Sequence, residues 1–259
     1  MIEKISEIAR LAGETLLKMK SGNIQRFSKG VRDFATEADL ASQDIIVSNL
    51  KKSFPNISIL AEEDSEHLIS DETFFVVDPL DGTFNYTFGF DTWGVLIGLI
   101  EKGVPHSGII YLPEKDVMIS AEKSNGAFYN GEKIELSQIS TVRESVISVE
   151  LGSWLNNEVT VKYGVPIVNN ALFTRSLGCS AAAFSEMFKG ASSSCVSIFG
   201  SKIWDLAACS AILLEAGGTL SDLSGAEISW KNVSVAGAFS SNMSVHRDLI
   251  SILNTPKLS

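Results

Sequence analysis

Cysteine is scarce in this chain. Of its 259 residues only Cys179, Cys195 and Cys209 are cysteines, and no Cys-X-X-Cys pair occurs. The odd number and the wide spacing indicate neither a disulfide framework nor a cysteine-rich zinc site. Reduced thiols are typical of proteins in a reducing compartment, so we expect a cytoplasmic protein.

Long apolar runs and basic clusters are also absent. No stretch approaches the roughly 20 apolar residues of a membrane span, and the first residues lack the basic-then-apolar layout of a secretory signal. Acidic residues outnumber basic ones by 31 to 21, which gives a formal charge of −10. Such a surface repels nucleic acid. We therefore expect neither a membrane nor a nucleic-acid partner.

The first half of the chain predicts two helices on a mostly antiparallel sheet. Apolar residues at helical spacing predict helices over about 2–20 and 36–54. Thr36 and Asp39 resemble a capping box at the start of the second helix. Its buried stripe is predicted to contain Leu40, Ile45, Ile46 and Leu50. Short apolar and β-branched runs predict strands over 57–61, 74–77, 93–100, 108–112 and 117–121, followed by a hairpin at Asn130-Gly131.

After about residue 140 strands and helices alternate. The pattern predicts strands over 145–149, 172–177 and 219–222, and helices over 180–189 and 203–216. We expect an α+β half over 1–140 and an α/β half over 141–259, packed as one compact unit.

Acidic residues stand at the ends of apolar elements in three places. The run from Phe74 to Val77 ends in Asp78-Pro79-Leu80-Asp81-Gly82-Thr83. Considered alone, this stretch is equally typical of a polar turn, in which Pro, Asp and Gly are common. Ile59-Leu60-Ala61 likewise ends in Glu62, and Asp205 begins an otherwise apolar helix, where a helix N-cap is the simpler role.

A shared metal site accounts for all three places at once. Buried carboxylates repel each other unless a cation compensates them, and hard oxygen ligands suit Mg²⁺, Mn²⁺ or Ca²⁺. Gly82 lets the backbone approach a ligand, and free N–H groups at a helix start near Thr83 would bind phosphate. Metal ligands beside an anion site are typical of phosphoryl transfer.

At these residues the chain resembles the inositol monophosphatase family of lithium-sensitive, metal-dependent phosphatases. The likeness rests on Asp78–Thr83 and on Trp204-Asp205-Leu206-Ala207-Ala208, which continues to Glu215-Ala216-Gly217-Gly218. The Glu62-Glu63 pair and the segment from Lys29 to Asp39 match as well. The resemblance implies a layered αβαβα sandwich of the inositol monophosphatase and fructose-1,6-bisphosphatase type, and a homodimer.

The resemblance also implies the roles of individual residues. Two or three Mg²⁺ ions are expected in each active site; Mn²⁺ is a possible substitute, and Li⁺ or Ca²⁺ would inhibit. One metal would be held by Glu62, Asp78 and the Leu80 carbonyl, and a second by Asp78, Asp81 and Asp205. Asp39, Thr83 and Glu62 would activate the attacking water. Phosphate and substrate would contact Lys29, Asp81, Gly82, Thr83, Gly178, Cys179, Ser180 and Asp205, and a small core residue is the favoured alternative for Cys179.

The substrate side departs from the family pattern. Inositol-specific members have a glutamate some seven residues before the second-motif aspartate, where the segment from Cys195 to Lys202 of this chain contains no acid. Inositol specificity is therefore not implied, and Lys202 is a candidate contact for a second anionic group.

We expect a phosphatase for a small sugar or polyol phosphate. A 3′(2′),5′-bisphosphate nucleotidase and a partner-dependent regulatory member of the same fold are the alternatives.

Overall fold

The computed structural model describes residues 1–20, 25–30, 33–64, 71–150 and 157–255. Its helices are α1 (Ile2–Lys20), α2 (Glu37–Ser53), α3 (Thr83–Thr87), α4 (Asn157–Val159), α5 (Val165–Asn170), α6 (Ser180–Phe188), α7 (Ile203–Glu215) and α8 (Met243–Asn254). Its strands are β1 (Arg26–Gly30), β2 (Asp33–Thr36), β3 (Ser58–Ala61), β4 (Phe74–Asp81), β5 (Gly94–Glu101), β6 (Val104–Leu112), β7 (Val117–Glu122), β8 (Gly126–Tyr129), β9 (Glu132–Lys133), β10 (Val146–Glu150), β11 (Phe173–Arg175), β12 (Ser194–Lys202), β13 (Thr219–Ser221) and β14 (Ser234–Ser240).

The elements stack in five layers of alternating helices and sheets. Helices α1 and α2 cover one face of a seven-stranded sheet of order β3-β4-β5-β6-β7-β8-β9. Helices α6 and α7 cover its other face and separate it from a five-stranded sheet of order β11-β10-β12-β14-β13. Helices α5 and α8 cover the outer face of this second sheet. The predicted αβαβα sandwich is confirmed.

Two glycines let the central helix α7 approach the first sheet closely. A Cβ on Gly108 would lie 2.2 Å from the Ala208 carbonyl oxygen, and one on Gly98 would lie 2.8 Å from the Ala208 amide nitrogen. Small residues on both sides therefore permit contact between the backbones of α7, β5 and β6. This contact sets the distance between α7, whose first turn contains Asp205, and the seven-stranded sheet.

The predicted secondary structure is confirmed in most of the first half. Thr36 is the N-cap of α2 and forms a capping box with Asp39. Of the predicted buried stripe of α2, Ile46 and Leu50 are buried. Leu40 is 44% exposed, so the prediction that it is buried is wrong. The predicted hairpin turn has φ of 49° at Asn130 and 83° at Gly131.

Several elements were not predicted. These are the β1–β2 hairpin, α4 and α5, strands β12 and β14, and helix α8. The seven-stranded sheet uses residues 58–133 and the five-stranded sheet uses 146–240. The division of the chain at residue 140 stays a prediction. One hydrophobic core contains residues from both sides of it.

No helix in the described part of the chain is long and apolar enough to cross a bilayer.

Candidate functional site

An irregularity in β4 brings Asp78 and Asp81 to the same face of the sheet. Residues three apart in a regular strand point to opposite faces. Here the register shifts, so that Asp78 pairs with Leu96 and Asp81 with Gly94 on β5. The two partners are two residues apart and share a face, so the extra residue in β4 aligns both carboxylates with it. Both therefore face the layer of α6 and α7.

The neighbouring elements add the other predicted acids. Strand β3 runs parallel to β4 and pairs Ala61 with Val77, which places Glu62 beside Asp78. Asp205 lies in the first turn of α7 and accepts a hydrogen bond from the Lys202 backbone N–H at 2.8 Å. The N-cap is Lys202, so the alternative role of Asp205 as N-cap is wrong. Asp78 and Asp205 lie close enough that each affects the pKa of the other.

The negative charges of these neighbouring carboxylates disfavour one another's ionised form and so raise their pKa values. Burial raises the pKa of Asp78 well above its ordinary value, and the charges of Glu62, Asp81 and Asp205 raise it further. Burial, Asp81 and Glu62 raise the pKa of Asp205 in the same way. Burial raises the pKa of Asp81 from 3.8 to about 6, although hydrogen bonds from the start of α6 oppose this. The cluster therefore favours binding of protons or cations.

The carboxylates of the described residues are not arranged as a preformed metal-coordination site. Within the residue ranges given above, no three Asp, Glu, His or Cys side chains are arranged to hold an ion. The charge of Asp205 raises the pKa of Asp78. Asp81 turns its Oδ2 atom to α6, where the Ala181 N–H donates at 2.5 Å.

Asp39 and Thr83 meet on the other side of the β4 turn. The Thr36 N–H donates to Asp39 Oδ2 at 2.8 Å, and the Thr36 hydroxyl donates to the same atom at 2.5 Å. Asp39 Oδ1 is left to Thr83, whose hydroxyl lies 3.0 Å from it and 3.1 Å from the Leu80 carbonyl oxygen. The pKa of Asp39 is raised by burial. The structure thus brings together the two residues expected to form a pair.

Gly82 joins this pair to the substrate side. It has a φ of 83°, and α3 begins directly after it at Thr83. A Cβ at Gly82 would lie 3.0 Å from the Cys179 Cβ and 3.1 Å from the Thr92 carbonyl oxygen. Only glycine fits here without strain, since both the backbone angle and the space disfavour a side chain. The Gly82 backbone therefore lies against the loop that leads into α6.

The loop before α6 holds the predicted substrate contacts Gly178, Cys179 and Ser180. Cys179 is buried, and its thiol donates to Asp81 Oδ2 at 3.1 Å while accepting the Ala182 N–H. Gly178 has a φ of 62°, and Ser180 begins α6 with 6% exposure. Cys179 is thus a core residue that also contacts the acidic cluster. The backbone of Lys29 lies in β1, and its side chain lies outside the described part of the structure.

Two residues of this site were missed in the sequence. Asn85 Nδ2 donates to the Leu177 carbonyl oxygen at 2.7 Å and to the Thr92 carbonyl oxygen at 2.7 Å. Glu150 lines a small cavity together with Ser180 and Ser197, and burial raises its pKa from 4.5 to about 7. Glu150 ends an apolar strand just as Asp78 does, and that signal was present in the sequence.

Comparison with known proteins gives consistent matches. A sequence model of the inositol monophosphatase family matches residues 1–254. Inositol monophosphatase 1 of Solanum lycopersicum is 34% identical over 229 residues, which cover 85% of this chain and 84% of that protein. Fructose-1,6-bisphosphatase/inositol-1-monophosphatase of Thermotoga maritima is 31% identical over 249 residues, covering 92% and 90%. The solved structure of extragenic suppressor protein SuhB from Bartonella henselae superposes with a TM-score of 0.90 at 26% identity, covering 98% of each chain.

Proposed function

The chain belongs to the inositol monophosphatase family. We propose that it hydrolyses a phosphate monoester of a small polyhydroxylated metabolite, and that this reaction requires a divalent metal ion, principally Mg²⁺. The observation that supports this most is the convergence of Asp78, Asp81 and Asp205, whose pKa values are all raised. Asp78 and Asp81 are buried, and carboxylates in such positions are costly to ionise without a cation.

The donor set fits a hard divalent cation. Carboxylate and carbonyl oxygens are the ligands that Mg²⁺ prefers. Glu62, Asp78 and the Leu80 carbonyl would hold one ion, and Asp78, Asp81 and Asp205 would hold another. Bound divalent cations supply Lewis-acid charge, which lowers the pKa of water and stabilises the leaving oxygen.

Asp39 and Thr83 would handle the proton of the attacking water. Because the Thr36 N–H and hydroxyl fix Asp39 Oδ2, its Oδ1 points at the Thr83 hydroxyl. Thr83 Oγ1 would take a proton from the attacking water while it passes its own proton to Asp39 Oδ1, so that its hydroxyl is restored. Burial raises the pKa of Asp39 and so increases its affinity for that proton. The N–H groups of Gly82 and Thr83 would orient the phosphate.

The substrate is proposed as a sugar or polyol phosphate without inositol specificity. The segment from Cys195 to Lys202, where inositol-specific members have an acid, contains none in this chain. Lys202 is exposed one turn before Asp205, where a second anionic group would meet it. The Thermotoga maritima relative, named for both fructose 1,6-bisphosphate and inositol 1-phosphate, supports a range of this kind.

A homodimer is proposed as the working form. The exposed apolar residues of α5, β11 and the bend between them include Val165, Val168, Leu172 and Phe173, the last two being 66% and 62% exposed. Strand β11 is an edge of its sheet, so this apolar surface has no covering layer among the described residues. Exposed apolar residues grouped in this way are typical of an interface. The cytoplasmic location stays a prediction, with all three thiols free and buried.

Phosphate release from a panel of esters tests the function. The panel contains inositol 1-phosphate, fructose 1,6-bisphosphate, histidinol phosphate and 3′,5′-adenosine bisphosphate, each with Mg²⁺ and with EDTA. We expect metal-dependent turnover that falls at least about 10²-fold in Asp78→Asn. Preference for the adenosine bisphosphate would instead support the nucleotidase alternative. No turnover by a folded, metal-binding protein would contradict the phosphatase proposal.

A partner-dependent regulatory role is the second candidate. It is favoured by the likeness to the extragenic suppressor protein SuhB across 98% of both chains. Complementation of a deletion strain by Asp78→Asn separates the two roles. A regulator keeps its cellular effect in this variant, whereas an enzyme loses it.

A further inference from the structure

The cysteine that directly precedes α6 is fixed in place from both sides. Upstream of it, the Leu177 carbonyl oxygen accepts a hydrogen bond from Asn85 Nδ2 at 2.7 Å. Asn85 belongs to α3, the short helix that begins at Thr83. Downstream, Cys179 is the N-cap of α6, and its sulfur accepts the Ala182 N–H at 3.4 Å. Cys179 is therefore held both by the helix after the β4 turn and by the helix that it starts.

From this position the thiol reaches the carboxylate of Asp81. Cys179 Sγ donates to Asp81 Oδ2 over a distance of 3.1 Å. The Ala181 N–H donates to the same oxygen at 2.5 Å. Both donors come from the start of α6, so this end of the helix is bound to one oxygen atom of the carboxylate. The other oxygen, Oδ1, is the one that these two donors do not engage.

The hydrogen bonds of the thiol are more specific than packing requires. Sulfur is a weak acceptor, and the residues preferred at an N-cap are Ser, Thr, Asp and Asn. An ionised aspartate here would repel Asp81. A thiol both donates and accepts, and Cys179 does both at once, towards Asp81 and Ala182.

The space around Cys179 is also limited. A Cβ atom on Gly82 would lie 3.0 Å from the Cys179 Cβ and 3.3 Å from its Sγ. The cysteine therefore packs directly against the backbone of the β4 turn, next to Asp81. This position requires a small side chain that donates in one direction and accepts in the other.

We propose that Cys179 is a positioning residue for Asp81, whose Oδ2 atom it holds against α6 together with the Ala181 N–H, so that Oδ1 is presented to the metal. This inference rests on the proposed function, because Asp81 acts as a ligand only if a metal binds there. Removal of a group that orients a metal ligand lowers metal affinity by about 10- to 100-fold. The role differs from substrate contact and from core packing, which are the two roles predicted from the sequence.

The test compares three substitutions of Cys179 with a matched control. Cys179→Ala removes the donor and the acceptor but keeps the Cβ atom. Cys179→Gly removes them as well and places an accepted N-cap residue before α6, so the result does not depend on one variant folding. Cys179→Ser retains a group that donates and accepts. Cys195→Ala is the control, since Cys195 is a second buried cysteine of the same hydrophobic core and lies on β12.

Metal binding is measured first, in the absence of substrate. The rise of Tm with MgCl₂ or MnCl₂ gives a half-saturating metal concentration. We expect this concentration to increase about 10-fold or more in Cys179→Ala and Cys179→Gly. Cys179→Ser stays within about threefold of wild type, because its hydroxyl can form both hydrogen bonds. Cys195→Ala lowers Tm but leaves the half-saturating concentration unchanged.

The kinetic measurement then separates positioning from substrate contact. We determine kcat and KM for the preferred ester at saturating metal, well below the Tm of each variant. A residue that acts through Asp81 changes the metal requirement, so KM at saturating metal should stay close to that of wild type in all Cys179 variants.

Several outcomes would overturn the positioning role. A wild-type metal response in folded Cys179→Ala and Cys179→Gly, with only a lower Tm, would make Cys179 a packing residue. An increase in KM without a change in metal response would make it a substrate contact. A loss in Cys179→Ser as large as in Cys179→Ala would show that the hydrogen bonds are not what matters. If wild type itself shows neither a metal-dependent Tm nor turnover, the proposed function fails first and the inference falls with it.

Discussion

Substitution of Asp81 by asparagine measures the destabilisation that the metal-free acidic cluster imposes on the fold. Burial raises the pKa of Asp81 from 3.8 to about 6. A carboxyl group with a higher pKa in the folded than in the unfolded protein binds a proton more tightly when folded. Its contribution to stability is therefore complete below about pH 4 and is lost as the pH rises through about 6.

The size of the effect follows from this pKa. A rise from 3.8 to about 6 corresponds to about 3 kcal/mol of stability lost between about pH 4 and pH 6. Asparagine cannot ionise, yet its oxygen still accepts the Ala181 N–H. For a chain of this length, about 3 kcal/mol shifts Tm by about 6–12 °C. We expect Asp81→Asn to raise Tm by up to this amount in EDTA at pH 7, and by little at pH 4.

Calorimetry or dye-based melting between pH 4 and pH 7.5 provides the measurement. Wild type, Asp81→Asn and Asp44→Asn are compared in EDTA and in MgCl₂. Asp44 lies on the exposed face of α2, so its substitution controls for a general loss of negative charge. Magnesium is expected to stabilise wild type and the control much more than Asp81→Asn. A Tm of Asp81→Asn at pH 7 equal to or below that of wild type would refute the reasoning, as would a difference that does not shrink towards pH 4.

Three further predictions concern the proton pair, the helix contact and the proposed interface. Thr83→Val removes the hydroxyl that lies 3.0 Å from Asp39 Oδ1. In a phosphate-release assay kcat should fall by about 10²-fold or more in this variant, while Thr83→Ser should retain most of the activity. Equal losses of kcat in both variants would contradict the proton role. Gly108→Ala places a Cβ 2.2 Å from the Ala208 carbonyl oxygen and should destabilise the fold by about 3 kcal/mol; an unchanged Tm would rule out the close packing of α7. Phe173→Asp introduces a charge on the apolar surface of β11 and should shift the protein from dimer to monomer in light scattering, and an unchanged mass would place the interface elsewhere.

Local features of the sequence determined much of the site. Thr36 and Asp39 form the capping box that their spacing indicates, because a cap depends only on residues within one helical turn. The apolar run before Asp78 likewise forms the predicted strand. Gly82 has the positive φ that the turn requires. Such features do not depend on distant parts of the chain. The family resemblance rests on these segments and is confirmed by the match over residues 1–254.

Only the tertiary structure decided which distant groups contact these segments. The hydrogen bonds from Cys179 and Ala181 to Asp81 join residues about one hundred positions apart. Glu150 faces α6 only because β10 pairs in parallel with β12. Leu40 fits the apolar period of α2 yet remains exposed, because no other described layer covers that side of the helix. Periodicity reports which residues share a face, but the packing of separate layers determines what that face contacts.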